Sequence, residues 1–397
     1  MATVATSPTA GLARTTRLLS ADSHICEPGD LWTSTVEPKF RDRAPRIVED
    51  REKGDIWKVE GLTLPNIAAM GGRFRTSETV TIRPNFKEDI VPAGYLPDER
   101  LVAMANLGVE GQILFPTVGF HLYGLEDPDL LRAVFAGWNN WVRDFCAGKE
   151  DKLRGVAFLS LDDIPAAIRE MTRCKEMGLV AANIPLTPLD PPYSHSYYED
   201  FWAAAEDLDM PLTSHTGSVR GPSNMARQPN AFAERFIPPE KRPWTMFVGT
   251  GIATAQVPRF VNEFLLSGIV DRHPGLRIIP TEFEAGWAAF WIDRLDETLF
   301  NERSKMGKGR HWDLKPSELF RRNFALTFID DMTAVANRDI IGVDNLLWSD
   351  DFPHIDGIWA DNADRVFHRV FDERNVSEED KRKLLGANMT RIFKCFG

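Results

Sequence analysis

Residue types that bind metal ions recur in this chain where short apolar runs end. The first run closes in Ala21-Asp22-Ser23-His24-Ile25-Cys26-Glu27-Pro28. In an extended strand residues i and i+2 face the same way, so Asp22 and His24 can converge on one ion, with Glu27 close behind. Later runs close in Ser214-His215-Thr216-Gly217, Thr281-Glu282-Phe283-Glu284 and Ser349-Asp350-Asp351-Phe352-Pro353-His354. Any one of these residues alone reads as a structural histidine or a helix cap. Together, Asp22, His24, His215, Glu282 and Asp351 at one mouth would crowd three carboxylates, which is prohibitive without a cation to offset them. A metal site is therefore expected, with His354, Glu27 and Glu284 as further donors and His121, just past the second strand, near its edge. The set mixes hard carboxylates with imidazoles and holds no thiolate; it suits iron or manganese and is large enough for two ions. Cys26 is discounted as a ligand, and His195, His273, His311 and His368 are expected at the surface.

Eight runs of strand length carry these residues: 18–24, 112–116, 155–160, 180–185, 211–215, 276–282, 324–329 and 346–351. Most are followed by stretches with helical spacing, at 128–148, 163–177, 197–208, 256–269, 285–300 and 331–340, and two more, 360–373 and 377–393, follow the last strand. Alternation of this kind predicts a (β/α)8 TIM barrel, an α/β fold in which catalytic groups project from the C-terminal strand ends. Two connections, 28–100 after the first strand and 217–255 after the fifth, are too long for turns and leave that same face, so both are expected to cap the site. Residues 17–397 read as one domain behind a flexible tail, 1–16, that is rich in Thr and Ala. The second cap is locally basic (Arg220, Arg227, Arg235, Lys241, Arg242), and Trp57, Phe74, Tyr95, Trp244 and Phe247 make the caps aromatic.

Of 397 residues, 47 are Lys or Arg and 58 are Asp or Glu; the net charge of −11 leaves no basic stripe and argues against nucleic acid as a partner. No apolar run is long enough to span a bilayer, so membrane integration is not expected. The four cysteines stand far apart without a CxxC pair, which argues against a disulfide framework or a thiolate zinc site and fits a reducing cytoplasm.

The sequence resembles the amidohydrolase-related metal-dependent TIM barrels of the amidohydrolase 2, or ACMSD-like, group over most of residues 17–393. The resemblance rests on Asp22-Ser23-His24 with Glu27-Pro28, Ser214-His215, His273-Pro274, Glu282 with Gly286-Trp287, and Asp351-Phe352-Pro353-His354. It implies Asp22, His24, His215 and Asp351 as ligands. Two departures stand out: Asp22 replaces the first histidine of an HxH opening, and Glu282 stands where many members place a catalytic histidine. The fourth strand has no lysine for a carbamate bridge.

Within this family the chain looks most like a branch of TIM-barrel non-haem diiron monooxygenases of diterpenoid biosynthesis. That likeness implies two irons held by Asp22, His24, His215, Glu282 and Asp351 with His354, and dioxygen as co-substrate. It further implies an electron-donating reductase and hydroxylation of a bulky apolar small molecule, acyl-CoA compounds among the candidates, in antibiotic biosynthesis. The alternative is a mononuclear hydrolase or non-oxidative decarboxylase with one zinc or manganese, in which Asp351 is both ligand and catalytic base. A homo-oligomer is expected in either case.

Overall fold

Where the apolar runs were read as strands, strands form. The computed structural model describes residues 16–64, 71, 83–222, 224, 245–300 and 313–397. Strands β1 (Leu18–Ile25), β5 (Val109–Pro116), β6 (Leu153–Phe158), β7 (Ala181–Asn183), β8 (Leu212–His215) and β9 (Ile278–Thr281) pair in that order, all parallel, in a six-stranded sheet that curls into a half-barrel. β10 (Leu326–Phe328) and β11 (Leu346–Trp348) form a second parallel pair. Backbone hydrogen bonds join this pair to both edges of the larger sheet. Ala325 N donates to Ile278 O at 3.1 Å on one side, while Asp351 N donates to Asp22 O at 3.0 Å and His24 N to Phe352 O at 2.7 Å on the other. Eight parallel strands thus surround one axis, as expected from their alternation with helices.

The strands are buried on both faces and read as continuous apolar runs because helices cover the outside. The helix Pro128–Cys146 illustrates why. Asp127 caps it by accepting from Asp129 N and Leu130 N, and proline fills the first position, where no amide hydrogen is needed. Leu131, Val134, Phe135, Trp138, Val142 and Phe145 then recur on one face and are buried against the sheet. Each such large side chain contributes about 1.5–3 kcal/mol by leaving water.

The connection after β1 contains structure that the sequence did not announce. β2 (Arg46–Asp50), β3 (Gly54–Val59) and β4 (Leu62–Thr63) form a small antiparallel sheet, and a helix follows at Pro97–Leu107. A further unexpected helix, Pro316–Asn323, precedes β10. The tail to residue 15, Phe74, Trp244, Arg227, Arg235, Lys241, Arg242 and His311 lie outside the described residues, as does the side chain of Phe247. Among the described residues no helix is long and apolar enough to cross a membrane.

Candidate metal centre

Five of the expected donors meet at the C-terminal strand ends. Asp22 and His24 come from β1, His215 ends β8, Glu282 directly follows β9, and Asp351 lies three residues beyond β11. β1 reaches its geometry through a bulge: between Ser20 and Ser23 it advances one residue more than its partner β5. Glu282 and Asp351 have left-handed backbones, with φ of 62° and 50°, so the chain turns sharply at the two strand ends that deliver these carboxylates. Such conformations cost about 1–3 kcal/mol for residues with a side chain and concentrate at functional sites.

Both histidines are oriented by the backbone. His24 Nδ1 lies 2.9 Å from Pro116 O and His215 Nδ1 lies 2.9 Å from Thr216 O. A carbonyl can only accept, so each Nδ1 carries hydrogen and each neutral imidazole turns its Nε2 lone pair inward. The two Nε2 atoms are 3.3 Å apart. His24 Nε2 is 3.4 Å from Asp22 Oδ1 and 3.0 Å from Asp351 Oδ1; His215 Nε2 is 2.9 Å from Glu282 Oε2. Asp22, His24, His215 and Glu282 each offer a ligand atom within 4.8 Å of the others. Phe120 stacks on the His215 ring at 4.9 Å and presses against Gly217, whose φ of 78° and missing Cβ permit that approach.

The donor set fits a divalent cation on its own chemistry. Asp22 and Asp351 are fully buried, and neither oxygen of either carboxylate has a hydrogen-bond partner; Glu282 Oε2 likewise has none. Buried carboxylates of this kind must be protonated, paired with cations or bound to metal. Without metal, the imidazoles take the cationic role. Burial opposes a charge on His24, but Asp22 and Asp351 outweigh it and hold the imidazole well above its ordinary range. For His215, burial is outweighed by Glu282 and Asp22, which push it up to about 9. Burial likewise resists ionisation of Asp22, yet His215 and His24 keep it below the usual carboxylate range.

The remaining expected residues divide. His354 belongs to the cluster: its ring stacks on His24 at 3.9 Å, Nδ1 is 3.2 Å from Asp351 Oδ1, and Nε2 is 3.1 Å from Thr117 Oγ1. Glu27 instead accepts backbone hydrogen bonds from Val118 N and Gly119 N at 2.8–3.0 Å, and burial pushes its carboxyl up to about 7. Glu284 accepts from Ile329 N, with burial and Asp331 pushing it up to about 8. Neither is grouped with the metal donors. His121 packs on Phe120 at 4.7 Å with Nδ1 unpartnered; burial and the charges of His215 and His354 pull it down to about 4. The Cys26 thiol is buried and pushed up to about 12, which keeps it protonated. Contrary to the sequence reading, His273 is not a surface residue: it is 8% exposed and bridges Glu199 and Glu206. Sequence reasoning overlooked Thr117, which could be found only through its contact with His354, and Asp350, whose place beside Asp351 was a visible signal.

An eight-stranded α/β barrel with carboxylates and imidazoles converging at its C-terminal mouth defines a class of barrel enzyme built around a cation. Residues 88–395 match the family model Amidohydro_2, described as Amidohydrolase, and the chain belongs to that family. Among curated relatives, the gamma-resorcylate decarboxylase of Rhodococcus jostii (strain RHA1) is 28% identical over 276 residues, covering 64% of this chain and 75% of the relative. Among solved structures, an amidohydrolase from Mycobacterium avium subsp. paratuberculosis K-10 is similar with a TM-score of 0.71 at 17% identity, covering 95% of this chain and 99% of that one. A dihydroxybenzoic acid decarboxylase from Polaromonas sp. JS666, solved with bound manganese and the inhibitor 2-nitroresorcinol, is similar at 0.63 and 20%, covering 96% and 97%.

These likenesses correct the reading of the chain as an oxidoreductase. The curated relatives are decarboxylases of an aromatic acid, so the diiron monooxygenase branch, with its two irons, dioxygen and place in antibiotic biosynthesis, is overturned. The reductase and acyl-CoA were implied by that branch alone and lose their basis with it. The physical reason for the misreading is the surplus of donors. Glu27 and Glu284, counted toward a second ion, are engaged by backbone amides.

Proposed function

We propose that this protein is a mononuclear, divalent-metal-dependent decarboxylase of a hydroxylated aromatic acid. The observation that carries the reading is the pair of fully buried carboxylates, Asp22 and Asp351, which face two inward Nε2 atoms and have only the surrounding imidazoles within hydrogen-bond reach of their oxygens. The relatives' activity on gamma-resorcylate supplies the substrate class. Asp22, His24, His215 and Asp351 would hold the ion, with Glu282 at the more open edge, where 22% of its side chain is accessible. A manganese or zinc ion held there would supply positive charge to attract an anionic aromatic acid and to stabilise negative charge during reaction.

The residues of the chain do the rest. His24 and His215, locked by their Nδ1 hydrogen bonds, fix the direction of the site. Asp351 and His354, 3.2 Å apart, share a proton. Burial favours the neutral acid, but His354 and His24 outweigh it and hold Asp351 low, as a carboxylate able to take up and pass on a proton. Delivered through this pair to the ring carbon bearing the carboxylate, it forms the new C–H bond. The carbon–carboxyl bond then breaks, its electron pair restores the aromatic ring, and carbon dioxide leaves. No oxidant or reductant enters. The test is loss of 2,6-dihydroxybenzoate with matching release of carbon dioxide, assayed with manganese under anaerobic conditions. An enzyme inert towards a panel of hydroxybenzoates but active on amides or esters would replace this reading with hydrolysis.

A further inference from the structure

Beneath the metal centre lies a buried cation that none of the chemistry above uses. Arg100 sits in the helix Pro97–Leu107, at the end of the connection after β1, and is fully buried. That helix ends at Gly108, whose left-handed φ of 81° turns the chain directly into β5. Arg100 makes no direct ion pair among the described residues. Its guanidinium donates to four acceptors: His24 O at 2.7 Å, Ala93 O at 3.3 Å, Phe352 O at 3.0 Å and Gln112 Oε1 at 2.7 Å.

Two of those carbonyls decide the argument. His24 O belongs to a ligand residue, and Phe352 O belongs to the residue after Asp351. β1 and β11 share no regular ladder, and where the ligands emerge two backbone hydrogen bonds join them, Asp351 N to Asp22 O and His24 N to Phe352 O. Arg100 spans the seam at that point, with its guanidinium also over the Phe352 ring at 4.8 Å. Gln112 extends the clamp: its Nε2 donates to Asp350 Oδ2 at 2.6 Å. The Ser20 and Ser23 hydroxyls lie 2.9 and 2.6 Å from Asp350 Oδ1. A buried guanidinium carries a desolvation cost of several kcal/mol, and its planar fork is the only cationic side chain able to reach several carbonyls in fixed directions.

We propose that Arg100 is a positioning residue for the metal centre, fixing the spacing between the strand end that carries Asp22 and His24 and the one that carries Asp351. In doing so it sets how tightly, and in what geometry, the cluster holds a divalent cation. The inference rests on the metal-centre reading above but not on the identity of the reaction.

The experiment titrates Mn(II) into the full-length, metal-stripped chain by calorimetry and records the Mn(II) electron paramagnetic resonance line shape, for wild type, Arg100→Lys and Arg100→Gln. Loss of an orienting partner behind a ligand typically weakens metal affinity about 10- to 100-fold, the range expected for Arg100→Gln, with an altered line shape. Arg100→Lys keeps the charge without the fork and should fall between wild type and Arg100→Gln. Gln112→Ala leaves the guanidinium in place and provides a milder variant should Arg100→Gln not fold; it should also weaken binding. Affinities within about twofold of wild type and an unchanged line shape, even with a lowered melting temperature, would reduce Arg100 to a purely structural role. A wild-type chain that takes up no Mn(II) would instead overturn the metal centre itself, and this inference with it.

Discussion

His24 and His215 face one another through their Nε2 atoms at 3.3 Å, each held from behind by a backbone carbonyl. Two imidazoles that close, among three carboxylates, can be satisfied by protons or by a metal ion, and the two compete. In the metal-free protein Glu282 and Asp22 push His215 up to about 9 against an ordinary 6.5, and His24 is also raised, so the pair holds on to a proton at neutral pH. Metal needs both neutral, so binding must release protons. Apparent Mn(II) affinity should therefore rise with pH and level off near the His215 value of about 9. Calorimetry in buffers of differing ionisation enthalpy should show net proton release on binding at neutral pH. An affinity flat between neutral pH and that plateau would contradict this picture.

The same groups predict how the metal-free protein responds to pH. A histidine raised on folding stabilises the fold fully below its unfolded value of 6.5, and that contribution is lost as pH climbs through about 9. Asp22 and Asp351 are depressed, so their contribution is present above the ordinary carboxylate value of 3.8 and is lost as pH falls through their lower folded values. The stripped chain should thus be most stable in mildly acidic solution and weaken towards pH 9, whereas the metal-loaded chain should not weaken on that side. Melting curves with and without chelator check this. Parallel curves would sink it.

Much of this fold was legible because barrel strands announce themselves. Runs such as Ile113-Leu114-Phe115 and Leu346-Leu347-Trp348 are apolar on both faces, and each is bounded by polar or glycine-containing connections. That Asp22, His24, His215, Glu282, Asp351 and His354 would come together was legible for the same reason, since a polar residue at the end of such a run stands out. The helix Pro97–Leu107 was not, because its buried positions include an arginine and break the apolar period. The roles of Glu27 and Glu284 were hidden as well. Sequence shows a carboxylate at the right distance along the chain, but not that Val118 N, Gly119 N or Ile329 N already occupies it.

Glu27 accordingly offers a clean contrast with the ligands. Glu27→Ala should leave Mn(II) stoichiometry unchanged while orphaning the buried amides of Val118 and Gly119. Such a loss costs about 1–3 kcal/mol for each group left unsatisfied. Denaturant melts should reveal the destabilisation, and elemental analysis should still find about one ion per chain. A fall in bound metal with unchanged stability would restore Glu27 to the ligand set.

Asp351 and His354 should separate binding from proton delivery. An asparagine at position 351 keeps an oxygen that can ligate but holds no proton, so Asp351→Asn should lower kcat by about 10²- to 10⁴-fold, the usual worth of a positioned acid or base. KM should move far less, because substrate binding would rest on the positive charge of the cation held by Asp22, His24 and His215 rather than on this side chain. His354→Asn removes the imidazole 3.2 Å from Asp351 Oδ1 and its link to Thr117 Oγ1. Its effect should also fall on kcat, with the pH–rate profile losing the limb set by the pair, while Mn(II) content stays near that of wild type. Equal losses in kcat and bound metal for His354→Asn would make His354 a ligand and leave Asp351 without a relay.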